Sequence, residues 1–203
     1  MVSIMRYWKS ASNRLIMRYS LLLLIAILPG LLWAEPIVVQ QVKIELQDDH
    51  YLIDAKLHFE FNKTVLDALE HGIPLTIKLQ LQVVRENAWF WEQNVANLQL
   101  HRVLRFHALT GLYEVQNLEQ GSSQSFAIRD IAISALGEIQ ALSAVEKKQL
   151  IENETYLIAL HASLDIESLP LTLRPLAYLT SDWNLSSDWH IYPLSQLLDT
   201  STL

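Results

Sequence analysis

The chain has 203 residues, no cysteine, five glycines and a formal net charge of −7. The lack of cysteine excludes disulfides, iron–sulfur clusters and thiol nucleophiles, and the glycines form no phosphate-cradling loop. An acidic chain with no basic run beyond its first residues is a poor partner for nucleic acid or an anionic membrane surface.

The N-terminus sets the compartment. Arg6, Lys9, Arg14 and Arg18 precede the apolar run LLLLIAILPGLLWA, with no acid among them. A basic stretch, a short apolar run and the small Ala34 read as a signal peptide over residues 1–34, cleaved before EPIVVQ. The alternative is an uncleaved inner-membrane anchor over residues 20–34. That run is shorter than the roughly 20 residues a bilayer span needs, and Pro29-Gly30 interrupts it. Export would place residues 35–203, read as one domain, in the periplasm of a Gram-negative bacterium, where a cysteine-free domain is ordinary. Removing four of the 15 basic residues leaves 11 against 22 acidic ones. The sequons at Asn62, Asn153 and Asn184 are then chance matches and not glycan sites.

Alternation of apolar and polar residues dominates the chain after Ala34. VKIEL sets Val42, Ile44 and Leu46 on one face, and Asp48-Asp49 predicts a hairpin turn. YLIDAKLHFEF sets Tyr51, Ile53, Ala55, Leu57, Phe59 and Phe61 on one face of a second strand. NKTVLDALEHG predicts a helix with Asn62 or Thr64 as N-cap, a stripe of Val65, Leu66 and Leu69, and Gly72 as its stop. PLTIKLQLQVV is a strand with Leu75, Ile77, Leu79, Leu81 and Val83 inward. NLQLHRVLRFH turns Leu98, Leu100, Leu104 and Phe106 inward, interrupted by Arg102. IRDIAISALGEIQAL and SAVEKKQLI predict one or two helices, a helical insertion over residues 129–151. YLIALHASLDI then gives a further strand. Five strands with one wet face each predict a mainly β fold, an antiparallel β-sandwich (immunoglobulin-like or similar) with short helical insertions.

Aromatic residues make up the candidate binding surface. In NAWFWEQN, Trp89 and Trp91 share one face of an extended chain and Phe90 takes the other; in SDWNLSSDW a Ser-Asp-Trp unit recurs at Trp183 and Trp189. These rings could stack on a glycan or hold a peptide, but Trp is also a large core filler, and burial is the simpler reading. Trp89 and Trp91 are expected to be mainly structural, which leaves Phe90 as the ring of the first run to check for exposure. His58, His101 and His161 lie on polar strand faces and could converge on zinc, yet no H-x-H or H-E-x-x-H spacing is present. Glu86 and Glu92 flank the first aromatic run without a pattern that fixes their separation, and no G-x-S-x-G occurs. No catalytic, cofactor or metal residue is therefore assigned.

Several segments in order carry a resemblance: ALEHGIPLTIKLQLQV, the R-x-x-x-W-F-W run through Arg85, Trp89, Phe90 and Trp91, RFHALTGLYEV, and YLIALHASLDIESLPLTLRPLAYLTSDWNLSSDW. By these the chain resembles domain-of-unknown-function family 4390, a family of exported proteobacterial proteins. Phe106-His107 stands where that pattern has a Tyr-His pair. The resemblance implies a signal-bearing envelope protein encoded beside a membrane sensor kinase of the nitrogen-regulation type, and it supplies no functional residues. The expectation is a non-enzymatic exported module that binds an envelope protein or peptide, with the strand over residues 37–46 as an edge for β-addition. The alternatives are a small-molecule or glycan binder using the aromatic surface, and a metal-dependent hydrolase.

Overall fold

A computed structural model describes residues 36–86 and 94–195. The segment read as a signal peptide and the NAWFWEQN run lie outside the described residues, apart from Asn94. No helix among the described residues is long and apolar enough to cross a membrane.

The fold is mainly β. Among the described residues, nine strands form two antiparallel sheets: a three-stranded sheet in the order β1-β2-β7 and a six-stranded sheet in the order β6-β5-β4-β3-β8-β9. β1 (Ile37–Gln47) and β2 (His50–Phe59) make a hairpin in which Gln47 faces His50. Both residues between them have positive φ, Asp48 at 48° and Asp49 at 63°. That is the backbone of a type I′ turn, which matches strand twist and tolerates Asp. A bulge between Val39 and Gln41 shifts the alternation, so Ile37 and Val39 before it and Val42 and Ile44 after it all face inward. Leu46, beyond them at the turn end, is exposed.

α1 (Lys63–Glu70) starts where Asn62 Oδ1 accepts the Val65 N–H at 3.0 Å and ends at Gly72, whose φ is +83°. It buries Val65 and Leu69. β3 (Leu75–Arg85) is the centre of the large sheet, paired with β4 (Asn94–His107) on one side and β8 (Tyr156–Leu164) on the other. Its inward residues sit in rows across the sheet: Leu79 between Leu100 and Ala162, Leu81 between Leu98 and Leu160, Val83 between Ala96 and Ile158. These rows and the inward residues of β1 and β2 belong to one apolar cluster. Full burial of a valine, leucine or isoleucine side chain in this layer stabilises the fold by about 1.5–3 kcal/mol, so the shared layer drives the packing of the two sheets.

The helical insertion predicted over residues 129–151 is only half present. α2 (Arg129–Leu136) is a helix, but residues 138–146 form β7 (Glu138–Glu146), which pairs with β2 and completes the small sheet. Two register shifts in that ladder, at Tyr51/Leu52 and Ile53/Ala55, and a positive φ at Ala141 break its two-residue alternation. The apolar residues Ile139, Leu142 and Val145 are left spaced by three, which is a helical spacing. The described strands number nine and not five. β5 (Leu112–Asn117), β6 (Ser122–Phe126) and β9 (His190–Pro193) are the others that the sequence pattern did not predict. A short helix α3 (Arg174–Leu179) precedes β9.

The junction between α2 and β7 is tight. The Leu57 N–H donates to the Gly137 carbonyl at 3.0 Å, and a Cβ on Gly137 would overlap the Leu57 carbonyl oxygen and come within 3.1 Å of the Phe59 ring. Gly137 has an ordinary φ of −85°, so close approach alone requires the glycine. Gly137→Ala is expected to destabilise the protein by about 1–3 kcal/mol, read as a lower midpoint in urea unfolding. A neutral effect would show that β2 and β7 do not approach this closely.

Candidate functional site

Three regions collect polar or aromatic chemistry. The first is the outward face of the six-stranded sheet. Lys78, Gln80 and Gln82 alternate along β3, and the register sets Lys78 opposite His101 and Ser163, Gln80 opposite Gln99 and His161, and Gln82 opposite Asn97 and Ala159. Trp189, just before β9, stacks on His161 with ring centroids 4.9 Å apart and an interplanar angle of 25°. Its side chain is 44% exposed, and Ile191 beside it is also exposed. The result is an aromatic ring at the edge of a field of amides.

The two Ser-Asp-Trp units thus have different fates. Trp183 is 3% exposed and belongs to the core. The residue before it is tied to α1, because Asn62 Nδ2 donates to the Asp182 carbonyl at 2.6 Å and the Thr64 hydroxyl to the Asp182 carboxylate at 2.7 Å. Trp189 is the ring left on the surface. Trp89, Phe90 and Trp91 lie outside the described residues, though the flanking Glu86 N–H donates to the Thr155 carbonyl at 2.9 Å.

The three histidines weighed as zinc ligands do not meet. His101 and His161 lie on strands either side of β3 in the large sheet, and His58 lies on β2 in the small one. Among the described residues, no group of three or more His, Cys, Asp or Glu is placed to hold a metal ion. Two of the three histidines instead pair with carboxylates, His101 with Glu119 at 2.9 Å and His58 with Glu60 at 3.8 Å, while His161 stacks on Trp189. His107, outside that set, pairs with Glu114 at 2.8 Å.

The second region is inside the sandwich. Arg102 falls on the inward face of β4, opposite Ile77 and Asn117. Its guanidinium donates to the Leu136 carbonyl at 3.0 Å and to the Glu138 carbonyl, so it caps the end of α2 and the start of β7. Burial lowers its pKa, and the nearby Glu138 charge opposes that. A small polar cavity of about 150 Å³ adjoins it, lined also by Asn117, Ser122 and Gln124. The break that Arg102 makes in the β4 pattern is therefore a structural anchor. Arg102→Met should cost about 1–3 kcal/mol or more in urea unfolding, because two carbonyls lose their donor.

The third region is an open cavity of about 680 Å³ at the end of the sandwich. Tyr51 from β2, Tyr156 from β8 and Leu194 after β9, all nearly buried, give it an apolar base. Its wall comes from the segment between β7 and β8. A one-turn 3₁₀ helix at Lys147–Gln149 is held by a reciprocal cap, in which Gln149 Oε1 accepts the Glu146 N–H at 3.0 Å. The Tyr156 hydroxyl accepts the Ile151 N–H at 2.8 Å and so fixes the rim. Sequence reasoning missed this cavity. The signal available was IENET, an isolated apolar residue with two acids close behind it, just before a strand.

Glu119 is one of three carboxylates, with Glu114 and Glu146, that give the protein an acid-side pH dependence. Burial would raise the Glu119 pKa, but the backbone N–H and ring of His101 donate to the carboxylate and hold it below the ordinary value. A carboxylate with a depressed folded-state pKa adds stability above its unfolded pKa of about 4.3, and that stability is lost as pH falls through the folded value. Glu119→Gln should flatten this part of the stability-versus-pH curve below about pH 5 while changing the neutral-side curve less. An unchanged acid limb would contradict the His101–Glu119 contact.

The chain matches no curated protein and no solved structure. Residues 34–192 match the family described as Domain of unknown function (DUF4390), and the chain belongs to that family.

Proposed function

We propose that this chain is a non-enzymatic module of the bacterial envelope that binds a protein or peptide partner by strand addition to β1. The observation that supports this reading is the position of β1 at the end of the three-stranded sheet, with no strand on its far side among the described residues. β1 runs for 11 residues, about twice the usual strand length, and contains no proline. An edge strand presents unpaired N–H and C=O groups that an extended segment can adopt as its own ladder. The bulge at Val39/Gln41 and the charge of Lys43 would limit indiscriminate pairing and leave Val42–Gln47 as the regular part. The envelope location rests on the basic-apolar N-terminus, and the outer domain of a membrane sensor kinase is the partner type that fits it. Photocrosslinking residues placed at Gln41 and Lys43 in cells are expected to give a discrete protein adduct that the same residue at Gln99 does not. Identical adducts from both faces, or none from β1, would contradict strand addition.

A second reading is favoured by a specific observation. The exposed Trp189, stacked on His161 at one end of the row His161-Gln80-Gln99 across the sheet, has the makings of a glycan or small-molecule platform, an aromatic ring with amides on the same face. Under this reading, envelope oligosaccharides change the tryptophan fluorescence of the native protein, and Trp189→Ala abolishes the change. A titration with no response removes the support for it.

A further inference from the structure

We propose that the cavity at the end of the sandwich is a binding site for a peptide segment in which an apolar side chain adjoins a lysine or arginine. Its volume of about 680 Å³ falls within the range of about 300–1,000 Å³ typical of ligand sites. The interior accepts apolar matter: Tyr51, Tyr156 and Leu194 form the base and Leu150 part of the wall. Ile151 stands 57% exposed at the rim although it is a large apolar residue, and the Tyr156 hydroxyl holds its backbone there. An apolar group at the mouth of an open apolar cavity gains most from a ligand that covers it.

Charge selects the second half of the ligand. Among the described residues, four carboxylates and two lysines line the cavity. Glu146 and Lys148 neutralise one another in an ion pair, which lowers the Glu146 pKa and raises that of Lys148. Asp49, Glu152 and Glu154 have no ion pair among the described residues, against Lys147 alone in the same condition. The lining residues of the mouth therefore carry a net negative charge. Asp49 comes from the β1–β2 turn and the two glutamates from the segment before β8, so the acids belong to separate elements around the cavity. That placement suits an extended chain crossing the mouth with one apolar side chain inward and its cation among the acids. A compact amine would meet fewer of them.

This site is independent of strand addition at β1, and the two can fail separately. The test uses the folded protein with N-acetyl-phenylalanyl-lysine amide, its glutamate counterpart and free phenethylamine, followed by calorimetry and by backbone amide shifts. The lysyl dipeptide is expected to bind and to shift the amides of Ile151, Thr155 and Leu194. The glutamyl dipeptide and phenethylamine should bind about tenfold more weakly or worse. Glu152→Gln with Glu154→Gln, both at exposed positions, should weaken the lysyl dipeptide several-fold with the melting temperature unchanged. Raised salt should weaken it too, since the mouth is open to solvent. Substitutions in β1 should leave it unaffected. No shift at those amides up to millimolar dipeptide, equal binding of the two dipeptides, or phenethylamine binding as tightly as the lysyl dipeptide would each overturn the assignment.

Discussion

The pairing of β7 with β2 is the constraint on which the rest of the molecule depends. Without β7 the small sheet is a bare hairpin, and an isolated hairpin is at best marginally stable in water. With it, Ile139, Ala144 and Val145 join the inward residues of β1 and β2 in the common core. Three local devices serve this one pairing. Gly137 lets α2 end against the Leu57 backbone, Arg102 reaches across from the large sheet to the Leu136 and Glu138 carbonyls, and the Asp54 carboxylate accepts the N–H of Ala141 at 2.7 Å where the strand kinks. The positive φ of Ala141 is a local strain of order 1–3 kcal/mol that these contacts must outweigh.

The same strand builds the binding features. Its far end leads through Glu146 into the 3₁₀ turn that walls the end cavity, and its near end fixes the small sheet whose other edge is β1. A protein that paired β2 otherwise would lose the cavity wall and the present edge together. The outward face of the large sheet depends less on this junction, because its amides and Trp189 sit on strands locked to β3.

Regularity decides how much of the fold was legible in the sequence. β2, β3, β4 and β8 alternate and α1 caps in the standard way, so most of their inward residues could be named from period alone. In β1, by contrast, the bulge after Val39 shifts the alternation, and Leu46, read as inward, is exposed. β7 was unreadable because bulges convert a two-residue alternation into the three-residue spacing of a helix. β6 was unreadable for a different reason: SSQSF has a single apolar residue and takes its strand conformation from its pairing with β5. At the candidate sites, the recurring Ser-Asp-Trp unit marked both Trp183 and Trp189 but could not separate them. Their burial is decided by the anchoring of Asp182 on α1 and the stacking of Trp189 on His161, both long-range contacts. The cavity was invisible for the same reason, since its lining comes from separated stretches of chain.

The most direct test of this closure is the nuclear Overhauser pattern across β2 and β7 in the folded protein. Cross-strand backbone contacts between Ile53 and Leu142 and between Ala55 and Ile139, with extended chemical shifts over residues 138–146, are the predicted result. Helical shifts over residues 138–146 without contacts to β2 would contradict the closure of the small sheet and with it the cavity and the β1 edge.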